Sequence, residues 1–158
     1  MDNQNNSLFD AVKAGDIDLV KQLIAEGADV NVRDARGYTP LILATYNGQI
    51  DLAKILLESG ADVNAADAGG NTALMGVCFK GYPDIAELLI TYGADINLQH
   101  GNGGTALMFA TMFGRNNVIK LIMDHGANLN LRESRGLTAM DLAVQQGNVE
   151  AVEIMEQY

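Results

Sequence analysis

The chain has few of the residues on which catalytic or metal chemistry usually depends. Its 158 residues include one cysteine, Cys78, and two histidines, His100 and His125. A single cysteine excludes an internal disulfide framework, and neither Cys nor His shows the paired spacing of a zinc site. We therefore expect no catalytic residues, no metal and no cofactor, and we expect these three side chains to be structural.

Positive charge is also scarce. The chain has 10 Lys and Arg against 20 Asp and Glu, which gives a formal net charge of −10. Nucleic-acid binding needs a basic stripe that neutralises phosphates, so we expect no nucleic-acid partner. The acidic excess would favour a partner with a basic face, although acidic residues that are scattered over a surface also serve solubility.

Long apolar runs are missing as well. No stretch approaches the roughly 20 residues that are needed to span a bilayer. Residues 1–7 are polar, are followed by a helix-like pattern and show no secretory signal. We expect a cytoplasmic protein that makes no membrane contact and is a monomer.

What the sequence has instead is a set of phrases that return about every 33 residues. Gly-Ala-Asp-Val-Asn and its close variants begin at Gly27, Gly60, Gly93 and Gly126. A second phrase runs Gly-Tyr-Thr-Pro-Leu from Gly37, and variants of it begin at Gly70, Gly104 and Gly136. A lone glycine keeps the same step at Gly15, Gly48, Gly81, Gly114 and Gly147. Such a period indicates a stacked array in which each unit buries its apolar face only against its neighbours.

Residues 34–66 show how one unit is built. They open with turn residues, after which Thr39 is suited to cap a helix and Pro40 to occupy its first position. This short inner helix should stop before Gly48, and a second, apolar-striped helix should follow over residues 50–58. Two helices this short are marginal alone, so stacking must stabilise them.

This unit resembles the ankyrin repeat. The family pattern D-x-x-G-x-T-P-L, then A-x-x-x-G, then L-L-x-x-G-A-D-V-N is nearly whole in residues 34–64. The resemblance covers roughly residues 7–157 and implies an all-α repeat solenoid whose helix-turn-helix units are joined by β-turn or hairpin tips. It divides a single domain, residues 1–158, into five units with the first and last as caps, at about 1–33, 34–66, 67–99, 100–132 and 133–158.

The resemblance fails at one position. The family usually has histidine after the leucine of T-P-L, where it ties neighbouring units together, but this chain has Ile42, Met75, Met108 and Asp141. The first three predict a contact between units that depends more on apolar packing than on polar ties.

The resemblance also implies where a partner would bind. In ankyrin arrays the tips and the exposed side of the inner helices line a concave groove, and the array acts as a non-catalytic protein–protein interaction module, an adaptor, inhibitor or accessory factor. The candidate partner-binding residues at the matching positions are Arg36, Tyr38, Tyr46, Asn71, Phe79, Lys80, Asn102, Met112, Phe113 and Arg135. The alternative is that Phe79, Met112 and Phe113 only pack on neighbouring units.

Two narrower roles follow from resemblance alone. Residues 105–115 and 136–143 look like small free-standing bacterial ankyrin proteins, some of which are associated with catalase and peroxide defence. In an animal cell, the asparagines of the first phrase would occupy the position that ankyrin asparagine hydroxylation targets: Asn31, Asn64, Asn97 and Asn130. The competing interpretation gives these side chains a hydrogen bond that stabilises their turn.

Overall fold

The structure, a computed structural model, describes residues 3–158. This range contains ten α-helices and no β-strand; the tip between the second and third helix pairs has one antiparallel bridge, between Ala66 and Thr72. The helices are α1 (Asn3–Ala14), α2 (Ile17–Ala25), α3 (Pro40–Tyr46), α4 (Ile50–Glu58), α5 (Ala73–Lys80), α6 (Pro83–Thr91), α7 (Ala106–Met112), α8 (Asn116–Asp124), α9 (Ala139–Gln145) and α10 (Val149–Met155).

The helices form two layers. The odd-numbered helices pack on one another in one layer, and the even-numbered helices pack on one another in the second layer. Each odd-numbered helix also packs on the even-numbered helix that follows it, which joins the two layers. Buried leucine, isoleucine, alanine and methionine side chains fill the space between the layers as one continuous core. The result is an all-α solenoid of stacked helix pairs. None of these helices, within residues 3–158, is long and apolar enough to cross a membrane.

Buried threonines start the inner helices. Thr39, Thr72, Thr105 and Thr138 each accept a hydrogen bond from the backbone amide three residues later. This satisfies one of the amides that every helix start leaves without a partner. The predicted cap at Thr39, the proline at the first position of α3 and the bounds of α4 are all confirmed.

The start of the first helix was predicted less well. Residues 1–7 were expected to precede it, but α1 begins at Asn3, and its Ser7 hydroxyl donates to the Asn3 carbonyl oxygen at 2.6 Å. The polar segment is therefore helical from Asn3, with Asn5 and Ser7 half-buried and with the Asn5 Oδ1 accepting from the Asp29 amide at 3.3 Å. Met1 and Asp2 lie outside the described residues.

The tips between helix pairs need glycine at one position. Gly37, Gly70, Gly103 and Gly136 have φ values of 78°, 83°, 80° and 81°, which side chains with a Cβ rarely adopt. The sequence alignment on Gly104 was therefore wrong by one residue, since Gly103 takes the left-handed conformation. At Gly37 a Cβ would also lie 2.8 Å from the Ala68 backbone nitrogen, because neighbouring tips come this close.

Backbone hydrogen bonds join each tip to the next. The amide of Ala68 donates to the Arg36 carbonyl oxygen at 3.0 Å, and Gly101 donates to Gly69 at the same distance. Ser134 continues the series by donating to Asn102 at 2.8 Å. The tips therefore form a connected edge along the array.

The repeated asparagines also join neighbouring units. The Asn31 amide nitrogen donates to the Gly60 carbonyl oxygen at 3.1 Å, and its Oδ1 accepts from the Asp62 amide at 2.7 Å. Asn64 and Asn97 repeat this pair of bonds one unit further along. The hydrogen bond that was predicted within the turn therefore lies between units, and we call this series the asparagine ladder.

The residues that replace the family histidine behave as predicted where they are apolar. Met75 and Met108 are buried in the core, and Ile42 packs against it. Asp141 accepts from the Thr138 amide at 2.9 Å and so completes a capping box at the start of α9. Apolar packing thus contributes most of the contact between the central inner helices.

Candidate protein-binding groove

Two clefts lie side by side between the tips and the inner helices, and together we call them the groove. The first has a volume of about 480 Å³ and lies over α3 and α5. The second has a volume of about 360 Å³ and lies over α7 and α9. Phe109 of α7 lines both clefts and separates them. These volumes fall in the range of roughly 300–1,000 Å³ that is typical of binding pockets.

A glycine creates the first cleft, which we call the Gly76 cleft. Leu43, Gly76, Phe109 and Leu142 follow each other at the 33-residue step, so they occupy the same place on successive inner helices. Gly76 has no side chain to fill the space between Leu43 and Phe109, and all three residues line the cleft. A missing side chain in this column therefore opens the surface.

The backbone does not require glycine at this position. Gly76 lies inside α5 and is absent from the glycines with positive φ. A Cβ there would meet nothing nearer than Cδ2 of Tyr46, at 3.5 Å, which is ordinary contact. Glycine inside a helix lowers stability by roughly 0.5–1 kcal/mol relative to alanine. The array therefore carries a residue that weakens α5 and that opens a cleft.

Aromatic rings form a row at the far end of the inner helices. Tyr46 and Phe79 stack with centroids 6.1 Å apart, and Phe79 meets Phe113 edge to face at 4.5 Å. Tyr46 and Phe113 are each 43% exposed, and Met112 is 38% exposed. The rings therefore pack across neighbouring units, as one interpretation predicts, and Tyr46 and Phe113 also keep apolar surface exposed. The partner-binding role stays a prediction.

Lys80 adds a positive charge to this row. Its Nζ lies 4.8 Å from the centroid of the Tyr46 ring and 6.0 Å from that of Tyr82. The ammonium group is attracted to the negative face of each ring. The half-buried stem of Lys80 thus keeps a cation at the end of the groove.

The structure divides the ten candidate residues between the clefts. Arg36, Tyr38, Tyr46, Asn71 and Phe79 line the Gly76 cleft. Asn102, Met112 and Arg135 line the second cleft. Lys80 and Phe113 line neither but contact Tyr46 and Phe79. Asn71 also donates to the Asp67 carboxylate at 3.1 Å, so its amide is already held in place.

Sequence reasoning missed the residues that shape the clefts. Gly76 and Phe109 were not among the candidates, although the 33-residue step places them in one column with Leu43 and Leu142. His100 lines the second cleft and accepts a hydrogen bond at Nδ1 from the Asn102 amide, at 2.9 Å. It thus replaces the carboxylates of the other tips in a structural role, as predicted.

The other residues considered for chemistry are also held in the fold. Cys78 is fully buried, and this burial raises the pKa of its thiol, which disfavours the reactive thiolate. His125 Nε2 lies 3.2 Å from the Glu87 carboxylate on the outer layer. Within residues 3–158, no three His, Cys, Asp or Glu side chains converge on a point that a metal could occupy.

Comparison with curated proteins gives no match. A family model for ankyrin repeats in three copies matches residues 8–100 and, a second time, residues 75–157. The two matches overlap and together span the five helix pairs, with the groove inside them. The chain therefore belongs to the ankyrin repeat family.

Proposed function

We propose that this protein is a non-catalytic interaction module that binds a protein partner in the groove. Ankyrin repeats are generally protein–protein interaction modules, and the family is that of this chain. The observation that carries the proposal is the aromatic row beside the open Gly76 cleft, in which Tyr46 and Phe113 are exposed and Phe79 is half-buried between them.

The composition of the groove supports this assignment. Aromatic side chains bury about 150–250 Å² each when they are fully covered, and binding hot spots are rich in them. Tyr46, Phe113 and Met112 leave about two fifths of their surfaces open. Apolar surface that is clustered in this way, with polar tips at its border, is typical of protein interfaces.

The proposal includes the arrangement that the sequence predicts. One domain over residues 1–158 would act as a monomer in the cytoplasm, with five units and with the first and last helix pairs as caps. Continuous packing from α1 to α10 supports a single array. The proposal leaves out asparagine hydroxylation, because the amides of Asn31, Asn64 and Asn97 already join neighbouring units.

Affinity capture from the source cell tests the proposal. The baits are the wild type, Tyr46→Ala/Met112→Ala in the groove, and Tyr92→Ala as a control. Tyr92 is 38% exposed at the end of α6, away from both clefts. We expect a protein that the wild type and Tyr92→Ala retain and that the groove variant loses. A protein retained equally by all three baits would place binding elsewhere, provided that circular dichroism shows all three to be folded.

A further inference from the structure

Charge is divided unevenly between the two sides of the array. We define the groove side as α1, α3, α5, α7 and α9 together with the tips at residues 33–38, 66–71, 99–104 and 132–137. It carries six basic residues, Lys13, Arg33, Arg36, Lys80, Arg132 and Arg135, and five acidic ones, Asp10, Asp34, Asp67, Glu133 and Asp141. The rest of the described chain carries four basic and fourteen acidic residues. The acidic excess therefore lies away from the groove.

Four of the five acidic groups on the groove side accept hydrogen bonds from their own backbone. Asp34 accepts from the amides of Arg36 and Tyr38, at 2.8 and 2.9 Å. Asp67, Glu133 and Asp141 accept in comparable ways. The Arg135 side chain and two backbone amides hold the pKa of Glu133 below its usual range. The hydrogen bonds therefore direct these four carboxylates at the backbone of the tips and of the start of α9.

Two of the basic groups, Arg36 and Lys80, are placed differently, whereas Arg33 and Arg132 donate to backbone carbonyl oxygens. Arg36 lies exposed at the tip edge of the Gly76 cleft, and no side chain among residues 3–158 lies within hydrogen-bond or ion-pair distance of its guanidinium group. Lys80 lies at the opposite end of the inner helices, over the Tyr46 ring. The second cleft has Arg135 at its tip edge, but the Nε of this residue donates to the Glu133 carboxylate at 2.9 Å. A partner in the Gly76 cleft would thus meet a cation at each end.

We propose that the groove binds a peptide segment in which a large apolar side chain is flanked by acidic residues. The apolar side chain enters the Gly76 cleft, between Tyr38, Tyr46 and Phe79, and the acidic residues pair with Arg36 and Lys80. This inference rests on the proposed function and adds the chemistry of the partner. Charge complementarity of this kind supplies specificity and register more than affinity.

The net charge of −10 does not oppose such a partner at physiological salt. The Debye length is about 8 Å at 0.15 M ionic strength, so a bound segment interacts mainly with the charges at the groove. Acidic residues on the outer helices lie behind two layers of structure. The local balance, and not the total, therefore determines which segment binds.

A display library of random dodecapeptides tests the inference. It is selected on the wild type at 0.15 M salt, and the affinities of single selected peptides are then measured by fluorescence anisotropy. Gly76→Leu fills the cleft without changing the charge, and leucine favours helix, so α5 should be kept. Arg36→Glu/Lys80→Glu reverses the two charges. Lys21→Glu/Lys54→Glu makes the same change in net charge on α2 and α4 and serves as its control.

We expect the selected peptides to combine acidic residues with an aromatic or aliphatic one, and we expect Gly76→Leu to lose them. Arg36→Glu/Lys80→Glu should weaken binding by about tenfold at 0.15 M salt. The difference should shrink at 1 M salt, where the Debye length is about 3 Å. The control should bind within about twofold of the wild type, since its charges lie on the outer helices α2 and α4, away from the groove, and are screened by salt.

Other results would overturn the inference in two distinguishable ways. Neutral or basic peptides that Gly76→Leu still loses would refute the acidic partner and leave the proposed function intact. Peptides that Gly76→Leu binds as well as the wild type, or the selection of none, would refute both. Arg36→Gln, which removes one charge at an exposed tip, repeats the charge test if the double variant fails to fold.

Discussion

The asparagine ladder makes a quantitative prediction about how the units hold together. Asn64 donates to the Gly93 carbonyl oxygen at 3.3 Å, and its Oδ1 accepts from the Asp95 amide at 2.7 Å. Both partners belong to the next unit. Asn64→Ala should therefore weaken the contact between the second and third helix pairs without disturbing the core of either.

The size of the effect follows from two lost hydrogen bonds. A hydrogen bond contributes about 0.5–1.5 kcal/mol to stability, which gives an upper limit of about 3 kcal/mol for the pair. Gly93 and Asp95 are exposed, so water can replace part of what is lost. We expect Asn64→Ala to lower the free energy of unfolding by about 1–2 kcal/mol, or roughly 2–8 °C in Tm.

Asn130 provides a matched control in the same phrase. Its backbone amide donates to the Asn128 side chain at 2.9 Å, just as Asn64 donates to Asp62 at 3.0 Å. Among residues 3–158, however, no group bonds the Asn130 side chain. Asn130→Ala therefore changes the local backbone preference in the same way as Asn64→Ala, but it removes no hydrogen bond between units.

Urea unfolding followed by circular dichroism measures both variants. We expect Asn130→Ala to stay within about 0.5 kcal/mol of the wild type, as surface substitutions usually do. Equal losses in the two variants would refute the ladder as a source of stability and would assign the effect to the turn itself. A change in the slope m would show that units unfold separately, in which case the two free energies are not comparable.

Three further predictions concern single positions. Gly76→Ala should raise the free energy of unfolding by about 0.5–1 kcal/mol, measured in the same urea titration, and a loss would show that the cleft does not tolerate a methyl group. Gly37→Ala should lower the free energy of unfolding by about 2–3 kcal/mol, because Gly37 has a φ of 78° and its Cβ would lie 2.8 Å from the Ala68 nitrogen. Gly60→Ala should lower it by only about 1–2 kcal/mol, because Gly60 has a φ of 93° but no atom near its Cβ position. Equal losses in the two variants would show that the close approach to Ala68 has no effect. Cys78 should react with a thiol reagent only in urea, because it is buried and burial raises the pKa of its thiol, and rapid labelling of the native protein would contradict this.

The sequence predicted the features that each unit repeats on its own. The Thr39 cap and the span of α4 depend on a few adjacent residues, so a single copy of the unit contains the information. Contacts between units were harder to predict from the sequence. The asparagine bonds cross from one copy to the next, so a single copy does not show them. The glycine of the third tip is a different case, because a step of 33 residues from Gly70 leads to Gly103 and not to Gly104.

The candidate groove shows the same division. Tyr46 and Phe79 were found because the family places exposed residues at these positions, and the structure brings them together. The Gly76 cleft was missed because a missing side chain leaves no chemical signature in the sequence. Only a comparison down the column, from Leu43 through Gly76 to Phe109, shows that one unit lacks a side chain where its neighbours have one.

Residues that recur in every unit and residues that differ from the repeat have different roles in this array. Thr39, Gly37 and Asn64 recur in almost every unit because each one starts a helix, closes a tip or joins the next unit. Gly76 has none of these structural roles, since its backbone is ordinary helix and the space beside it admits a Cβ. A residue that lowers stability by roughly 0.5–1 kcal/mol without serving the fold is best explained by what it makes room for. Under the proposed function, the Gly76 cleft is therefore the part of the groove where binding and stability should oppose each other.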